Sequence, residues 1–140
     1  MTDATIDVEA SERLEIKADA DVVKVRQATR NLATKAALSL VEQTKVVTAA
    51  SELARNTLVH GGGGTARIDL VRSNQRGGVR ATFADHGPGI PDVNLALTEG
   101  YTTGTGLGLG LSGSRRLVDE FDLRTEVGGG TEVTILKWGR

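Results

Sequence analysis

A chain of 140 residues with 39% hydrophobic residues is the size of one compact domain, and no apolar stretch in it is long enough to span a bilayer. Lys plus Arg number 17 against 18 for Asp plus Glu, so the net charge of −1 gives no electrostatic reason to expect nucleic acid or an anionic membrane as a partner. Zero cysteines exclude disulfides, thiolate–zinc sites and cysteine nucleophiles, while a hard cation such as magnesium stays open.

The segment Met1 to Ala10 is acidic and lacks a basic stretch followed by an apolar core, so residues 1–10 are expected to form a disordered tail on a cytoplasmic protein. Residues 11–140 are then a single domain. The 18 glycines are grouped at the ends of patterned segments rather than spread as in a linker, and no internal repeat is visible.

In chain order, Leu14 and Ile16 alternate with charged neighbours and predict a first strand over Arg13 to Ala18. Asp21 is expected to cap a helix over Val22 to Leu38, where Val25, Ala28, Leu32 and Ala36 recur at helical spacing. Ser39 and Glu42 have the spacing of a capping box, which starts a second helix running to about His60 and stopped by Gly61 to Gly64. Ile68 and Leu70 alternate with Arg67 and Asp69 in a second strand, and Val79, Ala81, Phe83 and Asp85 share one face of a third. Leu111 to Phe121 reads as a third long helix. Leu123, Thr125 and Val127 form a strand, and Val133 and Ile135 form the last one beyond a glycine turn at Gly128 to Gly130. The fold class is therefore α/β, a two-layer sandwich of a mixed, mostly antiparallel sheet with helices packed on one face.

Four places carry chemistry. Glu52 and Asn56 project from the same side of the second helix, so a carboxylate stands one turn from a carboxamide. The pair suits a general base beside an oxygen ligand for magnesium, although a solvated helix face has the same look. Asp85 is in phase with Phe83 and Ala81, which points its carboxylate inward, where it needs a partner. The turn Asp85-His-Gly87-Pro-Gly89-Ile90 behind it lets backbone approach a flat ligand, and a buried acceptor there suits an adenine amino group; a plain turn with an Asp cap is the other reading. Gly104, Thr105, Gly106, Leu107, Gly108, Leu109 and Gly110 open the third helix with backbone amides free of side-chain bulk, a seat for phosphate oxygens. No strand precedes this run, so it is not a dinucleotide fingerprint, and the absence of a Gly-Lys pair excludes a Walker loop. Thr131 opens the final strand with its hydroxyl on the inner side, placed to help read a base or simply to sit in a strand. His60 reads as a helix-end residue, and Arg115 and Arg116 as solvated helix charges or partner contacts.

The order Glu52-Leu-Ala-Arg-Asn56, Asp85-His-Gly87-Pro-Gly89-Ile90, Gly104 to Gly110 and Gly130-Thr131 resembles the N, G1 and G2 boxes and terminal Thr of the GHKL, or Bergerat-fold, ATPases and kinases. The resemblance spans about Arg13 to Trp138. Within that superfamily the chain has no phospho-acceptor histidine domain and is short beside gyrase or Hsp90, so it looks like the small serine/threonine kinases of the RsbT, RsbW and SpoIIAB group. The segments Ser51 to Asn56 and Gly106 to Phe121 look most like the RsbT branch of stressosome switch kinases.

The resemblance implies ATP and Mg2+ as cofactors. Asn56 would bind the metal, Asp85 the adenine amino group, the glycines from Gly104 to Gly110 the phosphates, and Glu52 would be the base for a target hydroxyl. Pro91 to Thr103 would be the lid. It implies two partners, a STAS-domain protein substrate and a regulatory phosphatase that the released kinase activates, and no nucleic acid or membrane. An anti-sigma factor kinase, or a non-catalytic ATP-gated binding module, would carry the same motifs.

Overall fold

The computed structural model describes residues 5–97 and 110–140. Five strands, β1 (Asp7–Ile16), β2 (Gly64–Ser73), β3 (Arg76–Asp85), β4 (Glu120–Glu126) and β5 (Gly130–Trp138), form one sheet in the order β1-β2-β3-β5-β4. Every neighbouring pair is antiparallel. Helices α1 (Asp19–Lys35) and α2 (Leu40–Val59) cover one face, joined by the short helices α3 (Val93–Ala96) and α4 (Gly110–Arg116) at one end of α2.

The core lies between that face and the helices. Val25 and Leu32 of α1 and Val46, Ala50 and Leu53 of α2 meet Ile68, Val79, Ala81, Phe83 and Ile135 of the sheet, all nearly or wholly inaccessible. Each buried Val, Leu, Ile or Phe contributes roughly 1.5–3 kcal/mol, so packing rather than capping holds α2 down. The cap decides where the helix begins. Ser39 Oγ accepts from Glu42 N at 3.1 Å and Glu42 Oε1 accepts from Ser39 N at 2.7 Å, the reciprocal pair its spacing promises.

Three expectations are corrected. Asp7 to Ala10 are not tail: they pair with β2, Asp7 opposite Arg72 and Ala10 opposite Leu70, because the β2 edge supplies backbone partners that no local pattern reveals. Asp21 does not occupy the cap position. It lies inside α1, whose N-cap is Ala18, and its carboxylate reaches back to the backbone N–H groups of Lys17 and Ala18 at 2.8 and 3.1 Å. The third helix stops at Arg116, and Phe121 belongs to β4, opposite Ile135. A sheet edge with unsatisfied groups outcompeted helical spacing there. A further feature had no signal in the glycine pattern: β2 and β3 are joined by Asn74 and Gln75, both at positive φ, as a two-residue hairpin turn demands.

Candidate functional site

β3 ends at Asp85 beside the first residues of β5, and the turn that follows α2 brings Gly61 nearby, so three parts of the chain converge on one carboxylate. Asp85 Oδ1 accepts from Gly87 N at 2.8 Å and from Thr131 N at 3.2 Å. A carboxylate has about four lone-pair positions, so two backbone donors fix its orientation and leave acceptor capacity for a ligand. Its other flank is Gly61: a Cβ built there would fall 2.5 Å from Asp85 Cβ and 2.6 Å from Oδ2. Only glycine leaves room for the carboxylate. Gly87 is equally confined, since its Cβ would come within 2.8 Å of Gly61 Cα.

The loop after Asp85 is tied to the β4–β5 turn rather than hanging free. Pro88 O accepts from Gly128 N at 2.9 Å, and Ile90 N donates to Thr125 Oγ1 at 2.9 Å. Gly89, at φ +78, lies so close to the Glu126 carbonyl that no side chain fits. Thr125 Oγ1 also lies 3.2 Å from the Gly130 carbonyl, to which it donates, and 2.9 Å from Thr131 Oγ1. The turn from Asp85 to Ile90 and the glycine turn from Gly128 to Gly130 are thus tied to each other by hydrogen bonds. Thr125 is the residue that joins them, and sequence reasoning had read it only as a strand position.

Glu52 and Asn56 lie on α2, one turn apart and half-buried, with Leu53, Ala54 and Thr57 packed beneath them. The Asn56 carbonyl accepts from both His60 N and Gly61 N, at 2.9 and 3.2 Å, which anchors the turn carrying Gly61 to the same helix end. The structure therefore puts Asp85 in direct contact with Gly87 and Thr131, and it ties Gly89 and Ile90 to the neighbouring β4–β5 turn through Glu126 and Thr125. It places Glu52 and Asn56 on the helix that leads to them. Gly104, Thr105, Gly106, Leu107, Gly108 and Leu109 lie outside the described residues; Gly110, at φ +72, begins α4. Of the expected lid, Asp92 caps α3 through Leu95 N at 2.9 Å, and residues 98–103 lie outside the described set.

Chemically, the site has a fixed carboxylate acceptor flanked by Gly61 and Gly87, and on α2 a carboxylate and a neutral amide oxygen. No group of three or more His, Asp or Glu side chains that would hold a metal by protein ligands alone occurs among the described residues. One amide oxygen is instead the modest protein share that Mg2+ takes when waters and phosphates fill the rest of its shell. No helix among the described residues is long and apolar enough to cross a membrane.

Comparison with known proteins agrees with this arrangement. The sequence model of the histidine kinase-, DNA gyrase B- and HSP90-like ATPase family matches residues 41–138. The serine/threonine-protein kinase RsbT of Bacillus subtilis is 42% identical over 120 residues, covering 86% of this chain and 90% of that protein. The anti-sigma F factor of Geobacillus stearothermophilus is 32% identical over 103 residues, 69% of each chain. Among solved structures, the RsbU and RsbW domains of a Mycobacterium tuberculosis protein superpose with TM-score 0.64 at 21% identity, over 94% of this chain and 33% of that one. The SiaB-SiaC complex of Pseudomonas aeruginosa gives 0.53 at 15% identity, over 94% of this chain and 90% of that one. Since the family's pattern extends over most of the chain and meets a cleft built around Asp85, the protein belongs to the histidine kinase-, DNA gyrase B- and HSP90-like ATPases.

Proposed function

We propose that this protein is a Mg-ATP-dependent serine/threonine protein kinase that works as a partner switch, phosphorylating a STAS-domain protein and, once released, activating a regulatory phosphatase. The observation that carries the nucleotide half of this reading is the Asp85 carboxylate, held by Gly87 N and Thr131 N against Gly61. The kinase half rests on the similarity to RsbT over 90% of that protein's length.

In this reading Asp85 accepts from the adenine amino group, and Gly87, Gly89 and Ile90 let the ring lie close to backbone. Thr131 orients Asp85 through its N–H, while its hydroxyl is shared with Thr125. Asn56 would hold the magnesium, which when bound would supply positive charge to the phosphates, and the backbone amides from Gly104 to Gly110 would receive the phosphate oxygens. Glu52 takes the proton from a target hydroxyl as that oxygen bonds to the terminal phosphorus and the bond to the ADP oxygen breaks. The phosphate brings the target roughly −1.5 to −2 charges, enough to oppose an interface that fitted the neutral hydroxyl. The protein acts as one domain with a cytoplasmic role, in which Pro91 to Thr103 would serve as the lid.

The similarity to anti-sigma F factors favours one second reading, a kinase that also grips a sigma factor. The deciding experiment is transfer of labelled phosphate from Mg-ATP to a STAS-domain protein encoded beside this gene, with the native chain and Glu52→Gln compared. Label with the native chain and at least a hundredfold less with the variant, ATP binding being kept, supports the kinase and its base, since a positioned general base supplies about 10²–10⁴ in rate. Tight ATP binding and complex formation without any label would leave only an ATP-gated binding module. Capture of a sigma factor by the native chain would select the second reading.

A further inference from the structure

The sheet face turned away from α1 and α2 holds a concavity of about 480 Å³ whose lining reaches Ala84 and Glu132, the chain neighbours of Asp85 and Thr131, but includes neither of those two residues. Antiparallel sheets commonly show one face to water, so openness there signifies nothing by itself. Its charge arrangement is what needs explaining. Asp69 lies at its floor with a side chain only 2% exposed, accepting from Ser11 Oγ at 2.6 Å, Arg67 Nε at 3.0 Å and Arg80 Nε at 3.2 Å. A buried carboxylate is a costly way to fill a strand position unless its partners are the point. Here it locks two guanidinium groups in place, each with further N–H donors. Beside them, Arg13 stands directly across from Arg67 in the β1–β2 register, and like charges so opposed destabilise a sheet. No carboxylate lies within ion-pair distance of Arg13 among the described residues.

We infer that this face docks an acidic segment of a protein partner, whose carboxylates pair with Arg13, Arg67 and Arg80. The three arginines sit on three adjacent strands spaced by about 4.8 Å, a spread that matches several carboxylates along one extended segment rather than a single small anion. Thr82 and Thr134, hydroxyls 3.3 Å apart, add hydrogen-bonding capacity on the same face. Glu132 on the far rim opposes a continuous polyanion such as nucleic acid, while a segment of mixed sequence avoids it. A second copy of this chain is disfavoured because a two-fold contact centred here sets arginines against arginines. The inference does not depend on the nucleotide site.

The test titrates the full isotope-labelled chain with a hexaglutamate peptide, and separately with free glutamate at matched carboxylate concentration, following backbone amide shifts. Docking predicts shifts gathered at residues 11–13, 65–69, 80–84 and 132–134, with residues 85–90 and α2 unmoved. Arg13→Glu, at an exposed edge position, should weaken peptide binding about fivefold or more, and Arg67→Gln is a second variant expected to act in the same direction. Shifts centred elsewhere, or unchanged affinity in both variants, overturn the inference. So do equal shifts from free glutamate, which would mark a small-anion seat, and self-association abolished by Arg13→Glu, which would mark a homodimer face.

Discussion

Asp85 and Thr131 face each other across β3 and β5, and the backbone N–H of Thr131 donates to Asp85 Oδ1 at 3.2 Å. A strand register thereby sets the direction of the carboxylate. Asp85→Asn keeps an oxygen for Gly87 N and Thr131 N but turns an amide donor toward the place where, in the proposed function, the adenine amino group also donates. Hydrogen bonds to charged groups contribute about 1.5–3 kcal/mol, so calorimetry should show ATP affinity reduced about 10- to 100-fold with melting temperature little changed. Unaltered affinity would remove Asp85 from the nucleotide site.

Gly61 and Gly62 make a matched pair of opposite kinds. Gly61 has no room, since its Cβ would strike Asp85, whereas Gly62 has open space but a φ of +74. Gly61→Ala should cost about 1–3 kcal/mol from overpacking and weaken nucleotide binding as Asp85 is displaced. Gly62→Ala should cost about 1 kcal/mol of backbone strain and leave affinity intact. Denaturant unfolding combined with calorimetry separates the two, and equal losses of affinity would contradict the cleft geometry.

Asn56 is expected to act on the metal and Glu52 on the proton. Removing magnesium should weaken ATP binding to the native chain and to Glu52→Gln alike. In Asn56→Ala the magnesium enhancement should disappear, leaving metal-free affinity unaffected. An enhancement that survives in Asn56→Ala would assign the metal to other groups.

The start of α2 offers a purely structural check. Ser39→Ala removes the acceptor for Glu42 N and should lower stability by about 1 kcal/mol, measured by urea unfolding, with the slope of the transition unchanged. Glu42→Ala should cost more, because Glu42 is buried and its other carboxylate oxygen lies 3.6 Å from Arg140 Nε.

One carboxylate makes a pH prediction. The backbone N–H of Lys17, helped by that of Ala18 and by the nearby charges of Lys24 and Lys17, holds Asp21 below its ordinary value of 3.8. A carboxyl group lowered on folding adds stability that is fully present above its unfolded value and is lost as pH falls through the folded one. Asp21→Asn should therefore melt below the native chain near neutral pH, and the difference should vanish as the pH drops beneath 3.8. A difference that persists in acid would show that the side chain acts by shape rather than charge.

Legibility along the chain followed the range of the interactions. The capping box at Ser39 and Glu42, the span of α2 and the core-facing phase of Phe83 and Ile135 rest on neighbours a few residues apart, and each was read correctly. Asp7 to Ala10 and Phe121 were not, because both are strand residues only by pairing with Arg72 to Leu70 and with Ile135. At the site, Glu52, Asn56, Asp85 and Thr131 were noticed by residue type and spacing and given their expected roles by the resemblance. Gly61 was read only as a helix stop, and its second role is visible only once Asp85 is packed against it.

By itself the sequence determined the order of the motif residues, on which the resemblance to the family rests, and the helical and strand periods, since these are properties of residue type and local spacing. The tertiary structure alone decided that Thr125 ties Ile90 to the Gly130 turn, that Thr131 orients Asp85, and that Arg13 stands opposite Arg67. Each of these depends on which residues the antiparallel register sets side by side, and register is fixed by the burial of a whole face rather than by any one segment.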